Sequence, residues 1–194
     1  MVAYDDGNGM YASRLWWMLR WLGHDLVSVL DGGWARWTSL GMPVDTAVPS
    51  SLPGDFVERP RPSMAVDAPA VLAAIGAADV VMLDARAPER YRGEVEPIDA
   101  VAGHVPGARN RPFATSLGPD GRFLPPAQLR ATLLADLAGT PPSQAIAMCG
   151  SGVTACHLLL AMEHAGLGGG RLYPGSWSEW SRDPSRPVAR GPEP

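Results

Sequence analysis

Lysine is missing from this chain of 194 residues; its basic residues are all Arg. The net charge is −4 and no basic block or stripe occurs, which argues against a nucleic-acid partner. Cysteine is nearly missing as well. The two thiols, Cys149 and Cys156, lie in unlike surroundings and suggest no disulfide framework, and no charged-then-apolar secretory leader opens the chain. A reducing cytoplasm is therefore the expected compartment. The longest apolar run, Met10 to Leu22, is too short to span a bilayer and is interrupted by Arg14 and Arg20. No membrane partner, metal or cofactor is expected. What the chain does have is core material, at 46% hydrophobic content, enough for one or two domains.

The most informative stretch is Cys149-Gly150-Ser151-Gly152-Val153-Thr154-Ala155. It follows a short apolar run, Ala145 to Met148, and leads into an apolar-periodic run, Val153 to Ala165. That order predicts strand, tight loop and helix, with a thiol at the turn. Small residues at Gly150, Ser151 and Gly152 let successive backbone N–H groups converge on one point, and the helix that follows adds its partial positive end. An anion at the sulfur is favoured there. Cys156 lies inside the helix pattern with Leu159 and Leu160 and reads as core.

The chain also repeats itself. Shifted by 143 positions, Gly9 falls on Gly152, Ala12 on Ala155, Leu15 on Leu158 and Gly23 on Gly166; Gly32, Trp34 and Trp37 fall on Gly175, Trp177 and Trp180. In this gap-free register Asp6 stands where Cys149 stands, so the first copy carries a carboxylate in place of a nucleophile and is silent. Residues 1–40 then form only the C-terminal part of a domain. The run from Met10, with Trp16, Trp17 and Trp21, is expected as a core helix deprived of its sheet. Left exposed, it would aggregate, lie on a membrane surface or mediate self-association.

Residues 41–62 hold five prolines and no apolar period, which predicts an extended linker. A complete unit is expected over residues 63–185, with a tail at 186–194. Asp67-Ala68-Pro69 starts a helix running to about Gly76, and Asp79 to Leu83 is a short buried strand ending at Asp84. An irregular stretch with Gly103-His104-Val105-Pro106-Gly107 follows, then a helix from Pro126 to about Ala138, the Cys149 strand and its helix, and a last strand at Arg171-Leu172-Tyr173. Strands alternating with helices predict an α/β fold with a parallel sheet covered on both faces. In such folds ligands sit at the carboxyl ends of the strands, where Asp84-Ala85-Arg86 and Cys149 both fall.

These residues resemble the rhodanese sulfurtransferases, in particular the tandem-domain thiosulfate and 3-mercaptopyruvate sulfurtransferases. The matching pieces are Asp84-Ala85-Arg86, Glu89-Arg90-Tyr91-Arg92-Gly93, Gly103 to Ala108, Cys149 to Ala155, and Gly175-Ser176-Trp177-Ser178-Glu179-Trp180. Tyr4-Asp5-Asp6-Gly7 and Leu30-Asp31-Gly32-Gly33-Trp34 look like the end of the family's inactive first domain. The resemblance implies a double displacement: a Cys149 thiolate takes sulfur from a small donor, and the resulting persulfide gives it to a thiol or cyanide. The loop Gly150, Ser151, Gly152, Val153 and Thr154 would stabilise the charge.

The resemblance leaves the donor open. Thiosulfate-preferring loops resemble Cys-Arg-Lys-Gly, whereas Gly150 and Ser151 are neutral and look like the mercaptopyruvate type. Ser151 is either a hydrogen-bond or proton-relay partner of the leaving group or a turn serine. Arg90 matches the family's donor-anion arginine; the alternative is an ion pair with Glu89 or Glu94. Arg86 is the second substrate-side arginine, with a structural pairing to a buried acid as its main expected role. The family's further carboxylate-binding arginine would fall on Asp99, which is an acid. His104 is expected to shape its loop. A cysteine-dependent phosphatase would need an Arg where Ala155 stands. The non-enzymatic alternative is a sulfur-carrier or partner-binding remnant.

Overall fold

The computed structural model describes residues 1–47, 50 and 53–194. Part of the 41–62 linker, at residues 48, 49, 51 and 52, lies outside them. Among the described residues six strands occur in chain order: β1 Val2–Ala3, β2 Ser28–Val29, β3 Val81–Asp84, β4 Ala108–Asn110, β5 Ala145–Met148 and β6 Arg171–Leu172. The α-helices of the described residues are α1 Met10–Trp21, α2 Gly33–Ser39, α3 Ala68–Ala74, α4 Pro88–Tyr91, α5 Pro126–Leu137, α6 Thr154–His164 and α7 Ser176–Trp180.

Strands β3 to β6 form one parallel sheet in the order β4-β3-β5-β6. Because strand side chains alternate between faces, consecutive residues go to opposite cores. Val81, Leu83, Ala145, Ala147 and Leu172 face α5 and α6 through Leu129, Leu133, Leu158 and Met162. Met82, Ile146, Met148 and Tyr173 face α3 and α7 through Val71, Trp177 and Trp180. The parallel sheet covered on both faces is therefore present. Helix α3 starts where Asp67 accepts the Ala70 N–H at 3.0 Å with Pro at the first turn. Helix α5 ends at Ala138 in the left-handed conformation (φ 49°).

One expectation is corrected. Helix α1 is not an exposed Trp-rich face: Trp16 and Trp17 are buried in the same core as Leu158, Leu159 and Met162 of α6. Its apolar stripe packs against α6. Residues 186–194, expected as a tail, hydrogen-bond back to earlier loops. Ala189 exchanges backbone hydrogen bonds with His104, and Gly191 N–H donates to the Arg92 carbonyl.

Candidate active site

Strand β5 delivers Cys149 to the carboxyl end of the sheet, where its backbone is tied down on two sides. Its N–H donates to Ser176 Oγ at 3.1 Å, and its carbonyl accepts the Trp177 N–H at 3.0 Å. Ser178 N–H donates to the Gly150 carbonyl at 2.9 Å. Loop carbonyls are thus taken up by α7. The N–H groups of Gly150, Ser151, Gly152, Val153, Thr154 and Ala155, in contrast, meet no hydrogen-bond partner among the described residues. Gly152 has φ 74°, and a Cβ there would stand 2.5 Å from the Pro174 carbonyl oxygen, so the loop can close only with glycine at this point. Cys149 is 2% exposed. It borders a cavity of about 350 Å3 whose walls include Arg90, Ile98 and Phe113 and, from the N-terminal segment, Met10 and Tyr11.

The N-terminal segment shows what such a loop holds. Trp34 N–H donates to the Asp5 carbonyl at 2.8 Å, the bond that Trp177 makes to Cys149. The parallel pairs Val2↔Ser28 and Ala3↔Val29 likewise correspond to Ile146↔Arg171 and Ala147↔Leu172. Asp5, not Asp6, therefore occupies the position of Cys149. The loop between Asp5 and Gly9 is one residue longer than that between Cys149 and Gly152, which a gap-free overlay cannot register. The Asp5 carboxylate accepts the N–H groups of Gly7, Gly9, Tyr11 and Ala12 at 2.9–3.1 Å. Gly9, Tyr11 and Ala12 correspond to Gly152, Thr154 and Ala155. One loop is filled by its own carboxylate, and the corresponding amides of the other meet no acceptor among the described residues.

Arg90 faces the cavity from α4 and reaches the loop closely: a Cβ on Gly150 would lie 3.3 Å from its Nη1. Its Nη2 donates to Glu96 at 2.6 Å and lies 3.7 Å from Asp99, so its partners are Glu96 and Asp99 and not Glu89 or Glu94. Burial works to raise the Glu96 carboxyl, but the Arg90 hydrogen bond and the Asp99 and Ile98 amides outweigh it and hold the group below the ordinary carboxylate range. Arg86 also borders the cavity, yet its guanidinium is engaged with Asp84 (2.6 Å), the Gly103 carbonyl (2.8 Å) and the Trp177 ring (5.0 Å). It braces the two loops on either side of the strand ends. His104 is fully buried, with Nδ1 2.8 Å from the Tyr91 carbonyl and its ring stacked on Tyr91, and so shapes its loop. Cys156 is fully buried, and burial pushes its thiol up to about 12, against the pull of Arg14.

The model of the rhodanese-like domain matches residues 67–183. The chain is 53% identical over 192 residues, 98% of its length, to a Pseudomonas aeruginosa protein named "Probable 3-mercaptopyruvate sulfurtransferase" and spans 68% of it. The chain belongs to the rhodanese family. It is also 38% identical to a Rattus norvegicus protein named "Thiosulfate sulfurtransferase", covering 98% of this chain and 66% of that one. Among solved structures, Tum1 from Saccharomyces cerevisiae superposes with a TM-score of 0.81 at 28% identity over 97% of this chain and 68% of that one. The EanB chain shares the fold alone, with a TM-score of 0.86 at 24% identity, and this chain spans 50% of it.

Within this rhodanese unit, Cys149, Gly150, Ser151, Val153, Thr154, Arg90 and Arg86 line one cavity, while Gly152 closes the loop against Pro174. Four residues escaped the sequence reading. Glu96 sits in an irregular stretch with no pattern to mark it. Met10 and Tyr11 belong to a helix whose partner could not be known. Asp5 was displaced by one position through the loop insertion. Among the described residues, no group of three or more His, Cys, Asp or Glu side chains is placed to hold a metal ion, and no helix is long and apolar enough to cross a membrane.

Proposed function

We propose that this rhodanese carries sulfane sulfur as a persulfide on Cys149, taking it from thiosulfate or 3-mercaptopyruvate and passing it to a thiol or cyanide. The Cys149 thiolate attacks the donor's outer sulfur. The sulfur–sulfur bond of thiosulfate breaks with its electron pair leaving on sulfite, or the carbon–sulfur bond of mercaptopyruvate breaks to leave pyruvate enolate, which takes up a proton. The acceptor then attacks the outer persulfide sulfur, and Cys149 leaves as thiolate. The amides of Gly150 to Ala155 stabilise the negative charge at each stage, as an oxyanion hole does.

The observation that carries this reading is the pair of equivalent loops. The amides that saturate a carboxylate around Asp5 are left unpartnered around Cys149, so the second loop is preorganised for an anion on sulfur. Arg90 supplies the positive edge that orients the donor's anionic group, with Glu96 fixing its direction. Ser151, exposed at the cavity mouth, faces the departing group. Two-substrate kinetics test the scheme: parallel double-reciprocal lines are expected, and intersecting lines would show that both substrates must be bound at once.

The same equivalence supports reading residues 1–40 as the closing part of a second, silent rhodanese-like unit. Its order β1, α1, β2, α2 repeats β5, α6, β6, α7 of the catalytic unit at 63–185. The two thiols are free and buried, in keeping with a reducing compartment such as the cytoplasm.

A further inference from the structure

Arg14 stands on α1, outside the catalytic unit, yet it touches the sulfur-carrying loop from behind. Its Nη1 donates to the Gly152 carbonyl at 3.3 Å and lies 3.8 Å from Cys156 Sγ, while its guanidinium sits over the Trp17 ring at 5.5 Å. Cys156 Sγ is a second donor to the same carbonyl, at 3.2 Å. No peptide bond in the described chain is cis. In a planar trans peptide the C=O and the following N–H point in opposite directions. Drawing the Gly152 carbonyl back onto Arg14 and Cys156 therefore turns the Val153 N–H forward, toward the cavity that Val153 lines.

The charges around the loop point the same way. Arg86 is matched by Asp84 at 2.6 Å and Glu96 at 3.5 Å, and Arg90 by Glu96 at 2.6 Å and Asp99 at 3.7 Å. Arg14 has no carboxylate within salt-bridge distance among the described residues, and its side chain is partly buried. Of the three arginines at this loop, it is the one whose charge is not locally neutralised. A cation in partly buried surroundings is weakly screened.

We propose that Arg14 is a positioning residue for the Cys149 loop: it pins the Gly152 carbonyl so that the Val153 N–H faces the sulfur, and it places an unmatched positive charge behind the anion cradle. The N-terminal segment thereby takes part in sulfur transfer. This rests on the Cys149 persulfide reading, and the test separates the two.

Wild type, Arg14→Lys, Arg14→Gln and Arg14→Met are compared as full chains. Cys149 alkylation rates are measured with neutral iodoacetamide and with anionic iodoacetate, the modified peptide being identified by mass. The iodoacetate-to-iodoacetamide rate ratio is expected to fall about threefold or more in Arg14→Met and Arg14→Gln and to stay within twofold of wild type in Arg14→Lys. With thiosulfate, kcat is expected to fall about tenfold in Arg14→Met, with KM changing less, and to be partly restored in Arg14→Lys. A folded Arg14→Met with ratio and kcat both within twofold of wild type would overturn the proposal. Should Arg14→Met fail to fold, equal ratios in the Lys and Gln variants would do the same. Absence of sulfur uptake by wild type would instead refute the persulfide reading, and the alkylation ratios would still report on Arg14.

Discussion

Asp5 and Cys149 hold equivalent places at the ends of two parallel strands, each with its carbonyl bonded to the N–H of a tryptophan, Trp34 at 2.8 Å and Trp177 at 3.0 Å. The acid is saturated by backbone amides and the thiol is not. That difference separates a loop that is a structural cap from one that can hold a reacting anion.

Asp5 therefore has a stability role that can be measured. Asp5→Ala leaves four amides without their acceptor and is expected to lower stability toward urea by about 2–3 kcal/mol. Asp5→Asn, which keeps one carbonyl oxygen in the loop, should lose less. Equal losses in the two variants would show that the amide contacts contribute little.

Gly152 closes the catalytic loop at positive φ against the Pro174 carbonyl. Gly152→Ala forces either the left-handed strain or the backbone clash to relax, and a loss of at least about 2 kcal/mol is expected, together with loss of sulfur uptake. Gly150→Ala, which meets only the end of the Arg90 side chain, should retain the fold and affect donor binding first. Thermal unfolding and donor KM distinguish the two.

The sheet was legible from sequence because its strands are short apolar runs bounded by turn residues. Asp79 to Leu83 predicted β3, and Ala145 to Met148 predicted β5. Helix α5, expected from Pro126 to about Ala138, spans Pro126–Leu137. Strand β4 at Ala108–Asn110 was not legible, since three residues at a sheet edge, one of them Arg, carry no alternation. The partner of α1 was not legible either: an apolar stripe states that a helix is buried, not against what. The Arg90–Glu96 pair lies beyond local pattern altogether, because a salt bridge across an irregular loop depends on the path of that loop.

His157, on α6, is fully buried between Phe113 and Phe123, and among the described residues neither ring nitrogen meets a well-formed hydrogen-bond partner. Burial lowers its pKa to about 4. The ordinary value in an unfolded chain is about 6.5. Between those values the unfolded chain binds the extra proton, so stability falls as pH drops from about 6.5 toward 4. A loss of about 2 kcal/mol is expected from this group between pH 7.5 and pH 5. Urea unfolding at the two pH values measures it, and His157→Leu should remove that share of the slope. An unchanged slope in the variant would assign the effect elsewhere.

Arg90 should act on the donor and not the acceptor. Arg90→Ala is expected to raise donor KM about tenfold or more while leaving the acceptor KM within twofold. A matching rise in both would mean that the arginine holds the loop and not the donor.

The central claim is that sulfur resides on Cys149 between two half-reactions. Intact mass after incubation with thiosulfate or 3-mercaptopyruvate, followed by removal of the donor, tests it most directly. The account predicts a gain of one sulfur atom, retained in Cys156→Ser, abolished in Cys149→Ser and discharged by cyanide. A wild-type chain that gains no sulfur from either donor, or a Cys149→Ser variant that still gains it, would contradict the account.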